Sequence, residues 1–84
     1  MSGEEAIVSL GEEDIYRQWR EVEMKILWLL ENDGGRNYEK RLKLLRKVQH
    51  LLYEDPRDAF LRNYYKEEVE WLLEQLNEEE RFYV

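Results

Sequence analysis

The chain has 84 residues, no cysteine, 39% charged and 13% aromatic residues, and a formal net charge of -7. One small domain follows, close to the size at which a single core supplies only about 3–5 kcal/mol, with neither a disulfide nor a thiolate metal site to hold it together. The acidic balance disfavours nucleic acid as a partner. The longest apolar run, Ile26 to Leu30, falls far below the ~20 residues that span a bilayer, and the acidic start is unlike a signal peptide, so a soluble protein with no membrane partner is expected.

Charge is unevenly spread: residues 1–34 carry a net -6, residues 35–54 a net +4 and residues 55–84 a net -5. Opposite charges on neighbouring helices attract and keep the molecule soluble, and an acidic face can also meet a basic target.

The first helix is expected over 12–31, with Ser9 and Glu12 spaced as a capping box. It stops at Asn32-Asp33-Gly34-Gly35, where paired glycines allow positive φ. The second is expected over 37–54, with Asn37 as N-cap. Pro56 suits the first turn of a helix, so Asp55 is read as the N-cap of a third helix over 56–79.

Three helices of about 20 residues with short connections predict an all-α, antiparallel up-down-up three-helix bundle in one domain, 1–84. Its core is expected from Ile15, Trp19, Val22, Ile26, Leu29 and Leu30, then Leu44, Leu45, Val48, Leu51 and Leu52, then Leu61, Tyr65, Val69, Leu72, Leu73 and Leu76. The short apolar segments 6–10 and 81–84 are candidate terminal strands, with frayed tails or one more helical turn as the alternatives.

No residue set points to catalysis. His50 is the sole histidine and falls on the polar face of helix two, with Glu54 as its only obvious carboxylate neighbour on that helix; a catalytic or metal histidine needs more. Gly34-Gly35 ends a helix and does not follow a strand, so it is no phosphate loop. The runs Glu67-Glu68-Glu70 and Glu78-Glu79-Glu80 lack the alternating spacing of a calcium loop. Lys40, Lys43, Arg46 and Lys47 share a face but have no interleaved aromatic residue on which bases could stack. No catalytic residue, cofactor or metal is expected.

Aromatic and methionine side chains outside the core carry the stronger signal. At about 100° per residue, Met24 and Trp28 lie roughly opposite the stripe Ile15, Trp19, Val22, Ile26 and Leu29. Phe60, Tyr64 and Trp71 share a stripe rotated some 100–120° from the core line of helix three. Such residues can pack on a neighbouring helix or under a terminal segment, but Trp, Tyr and Met also anchor protein interfaces. A partner interface is expected at Met24 and Trp28, extended by Tyr16, Leu27 or the Phe60, Tyr64 and Trp71 stripe.

Near-equal helices, short loops such as Glu54-Asp55-Pro56, dense Glu/Lys/Arg surfaces and the absence of cysteine make the chain similar to computationally designed helical mini-binders, and its opening Met-Ser-Gly resembles a recombinant start. Having only two alanines, Ala6 and Ala59, departs from plain designed bundles. The resemblance implies that the outlying aromatic residues contact one target protein. A binding module that blocks a target surface is therefore expected, monomeric when free. The alternatives are a natural acidic inhibitor or adaptor of viral type that covers a basic surface, and a self-associating structural bundle.

Overall fold

A computed structural model describes the backbone of residues 3–53 and 58–83 and the side chains of residues 14–53 and 60–83. The protein is all-helical among these residues: α1 spans Gly3–Asn32, α2 Tyr38–Tyr53, α3 Asp58–Tyr64 and α4 Lys66–Arg81. Helix α1 packs against α2, α3 and α4, and α2 against α3.

Two expectations about the ends are corrected. Residues 6–10 are helical, inside α1, so they form no strand and Ser9 is not a cap. Glutamates and Ala6 around Ile7 and Val8 favour helix, and a lone two-stranded ribbon would be marginal in water. At the other end α4 runs to Arg81, and Phe82 and Tyr83 continue as a turn. The Phe82 and Tyr83 amides donate to the Glu79 and Glu80 carbonyls, which closes the helix without a sheet partner. Val84, Asp55 and Pro56 lie outside the described residues, so the proposed cap of the third helix does too.

The turn between α1 and α2 is built as its sequence predicts. Gly34 and Gly35 take φ of 68° and 81°, values that cost a residue with a Cβ but not glycine. Asp33 accepts a hydrogen bond from the Gly35 amide at 2.9 Å, an Asx-type turn that reverses the chain. Asn37 directly precedes α2, and its carbonyl accepts the Arg41 amide at 2.8 Å.

The expected third helix is interrupted. Tyr65 separates α3 from α4 with φ -97° and ψ 29°, although no glycine or proline marks the place. Long-range bonds supply the reason. The Trp19 indole donates to the Arg62 carbonyl at 3.2 Å, and the Arg62 guanidinium donates to the Leu51 carbonyl at 2.8 Å while lying 5.1 Å over the Tyr16 ring. Helix α3 is thus tied to both α1 and α2 at its last turn, and the chain bends there. The Tyr65 amide reaches the Leu61 carbonyl and the Val69 amide the Tyr65 carbonyl, so hydrogen bonds of helical spacing close α3 and open α4 on either side of the bend.

Trp19, Val22, Ile26, Leu29, Leu45, Val48, Leu52, Val69, Leu72 and Leu76 form one buried cluster. Ile15, Leu30, Leu44, Leu51 and Leu73 are half-buried against it, and Leu61 is also half-buried. Tyr65, expected inside, is 40% exposed because it sits at the bend.

Candidate functional site

Helices α3 and α4 carry the main exposed apolar surface. Phe60, Tyr64 and Trp71 are 69%, 68% and 57% exposed. The Phe60 and Tyr64 rings lie 6.2 Å apart, and Tyr64 meets Tyr65 edge-on at 4.9 Å. Trp71, eleven residues beyond Phe60, lies past the bend on α4. Phe82 stands eleven residues further on at 88% exposure, with helical φ and ψ. Sequence reasoning missed Phe82 by treating it as part of a strand; the repeated spacing of eleven was the signal.

The charged side chains within about 60° of Trp71 are acidic. Glu67, Glu74 and Glu78 lie within about 60° of Trp71 on one flank and Glu68 on the other; all four are exposed. The next two glutamates of α4 serve the fold instead. Glu79 binds Arg41 at 2.7 Å and Glu80 lies 3.8 Å from Lys25.

On α1, Met24 and Leu27 are 59% and 41% exposed. Trp28 is half-buried and packs against the core, so it does not share the exposure of Met24. Lys25, about one turn before Trp28 on α1, lies 3.8 Å from Glu80 near the end of α4, and Trp28 and Tyr83 each pack against the core. Tyr16 is also half-buried, beneath Arg62, and lines a shallow depression with Arg17, Arg20, Glu21 and Met24.

The expected residues do not form one surface. Glu80 faces α1, and Trp71 stands about 180° round α4 from Glu80, so the aromatic stripe points away from α1. Met24 and Leu27 belong to a separate face.

Three buried charged residues escaped the sequence reading. Asp33 and Arg41 are 3% and 5% exposed and paired with each other, and Arg41 reaches on to Glu79. The hydrogen bond from Arg41 holds the Asp33 carboxyl below the usual aspartate range, helped by the Gly35 amide. Glu23, 6% exposed, accepts from the Tyr53 hydroxyl at 2.8 Å and from Gln49 at 3.2 Å. Burial and the neighbouring Glu23 carboxylate push the Tyr53 phenol up. These carboxylates join α1 to α2 and are occupied by structural partners.

A shallow groove between α2 and α4 is lined by Leu44, Val48, Leu51 and Leu72, with Lys47, His50 and Glu68 along it. His50 itself is exposed. His50→Ala is expected to change stability by less than about 0.5 kcal/mol in thermal unfolding, as for exposed helical positions generally. Among the described residues no three His, Cys, Asp or Glu side chains converge on a point that could hold a metal ion, and no helix is long and apolar enough to cross a membrane.

Comparison with known families, characterised proteins and solved structures returns no match. The functional reading therefore stands on the surface itself.

Proposed function

We propose that this chain is a non-enzymatic binding module that occupies and blocks a surface of one target protein, with Phe60, Tyr64 and Trp71 as its contact residues and Phe82 extending them. The observation that carries this reading is the aromatic surface itself: three large aromatic side chains on the successive helices α3 and α4, each more than half exposed. Water contact with so much aromatic surface is unfavourable, and removing it is the main driving force of association. Met24 and Leu27 enter as a second, smaller contact face, with Tyr16 and Trp28 at its margin.

The scaffold behind this face is read as an up-down-up three-helix bundle whose third helix is bent into α3 and α4. Two pairs support opposed directions for α1 and α2: Asp33 with Arg41 near the turn, and Glu23 with Tyr53 far from it. The resemblance to designed mini-binders supports a designed origin, in which the outlying aromatic residues were placed to meet the target.

Trp71→Ala tests the assignment. Loss of a central tryptophan anchor is expected to weaken target binding by about 2 kcal/mol or more, roughly 30-fold, while the melting temperature stays within about 2 °C of the parent. A target captured by the parent chain and retained equally by Trp71→Ala would remove this face from the interface. A collapse in melting temperature would place Trp71 in the core.

A further inference from the structure

We propose, on the reading that the α3–α4 face is the binding surface, that its partner presents an apolar groove rimmed by lysine or arginine side chains. The stripe is a ridge in two parts, Phe60 and Tyr64 on α3 before the bend and Trp71 and Phe82 along α4 after it, all exposed, so the complementary shape is long and concave. Its borders are negative. Glu67, Glu74 and Glu78 flank Trp71 on one side and Glu68 on the other, all exposed, whereas Glu79 and Glu80 are engaged by Arg41 and Lys25.

When such a ridge docks, the aromatic rings lose water at the centre and the four carboxylates come to lie at the rim. There, opposite charges speed encounter and fix register, and like charges repel. A second copy docking stripe to stripe would set these glutamates against their own counterparts. A basic rim on the partner satisfies both the ridge and its flanks.

Two synthetic helical peptides sharing one leucine ridge provide the probe, one flanked by lysines and the other by glutamates. Titrated with the full chain, the lysine peptide is expected to bind at least ~10-fold more tightly at ~50 mM salt, with the gap narrowing at ~300 mM. The combined Glu67→Gln, Glu74→Gln and Glu78→Gln variant should narrow the gap further, and Trp71→Ala should weaken the lysine peptide. Equal binding of both peptides, lost in Trp71→Ala, would overturn the basic rim and leave the aromatic face standing. Binding indifferent to Trp71→Ala would overturn the face and the rim together, and binding of neither peptide up to ~1 mM would overturn the rim. The chain alone must also sediment as a monomer. Self-association abolished by Trp71→Ala would make the occupant a second copy and overturn a foreign partner.

Discussion

Trp19→Ala is expected to lower stability by about 3–5 kcal/mol, the range for removing a large buried aromatic side chain. Trp19 is 2% exposed, at the centre of the cluster formed by α1, α2 and α4. Its loss opens a cavity and also takes the indole donor from the Arg62 carbonyl at the bend. Domains have only about 5–15 kcal/mol in all, and a small one sits near the low end, so much of the chain should be unfolded at 37 °C. Thermal unfolding followed by circular dichroism measures this, with a fall of at least about 12 °C expected for a domain of this size. A melting temperature within a few degrees of the parent would mean that the indole is not a core residue.

Arg41→Ala should produce the next largest loss, about 3 kcal/mol at pH 7. That figure is the low end for breaking a buried pair, because the second acid, Glu79, is 43% exposed and can return to water. The pH dependence gives an independent check. The folded Asp33 carboxyl lies below its ordinary value of 3.8, chiefly through its hydrogen bond with Arg41. A lowered folded value means that the contribution is complete above 3.8 and is lost as the pH falls through the folded value. In Arg41→Ala the buried carboxylate has no counter-charge, and protonation relieves it. The difference in melting temperature between parent and variant should therefore shrink as the pH falls from 7 toward 3. A difference that stays constant over this range would show that the Asp33 charge does not couple to Arg41.

Why the core was readable and the polar cluster was not comes down to periodicity. Trp19, Val22, Ile26 and Leu29 recur at helical spacing, and burying such a stripe is the dominant favourable term, so pattern and packing agree. Asp33 looked like a turn residue and Arg41 like part of a solvated basic helix; only the meeting of the turn, α2 and α4 makes them an internal pair. The bend at Tyr65 was hidden for the same reason. Its cause is the contact of Arg62 with Trp19, Tyr16 and Leu51, between residues as much as 46 positions apart in the chain. At the candidate site, the wheel placed Phe60, Tyr64 and Trp71 on an outward face, and they are exposed. It also treated Met24 and Trp28 alike, whereas Trp28 packs against the core and Met24 is exposed, because a wheel of one helix does not show which flank another helix lies beside.

The three tryptophans occupy three different surroundings: Trp19 is sealed in the core, Trp28 lies along its border, and Trp71 stands 57% exposed on the outer face of α4. An indole emits at shorter wavelength in an apolar setting than in water, and a dissolved quencher reaches only those that water reaches. Loss of quenching at Trp71 with unchanged emission from Trp19 is the optical signature of a docked and intact molecule, and a red shift from Trp19 is that of an unfolded one. The native chain thus distinguishes occupancy from denaturation by its own fluorescence, without an attached dye.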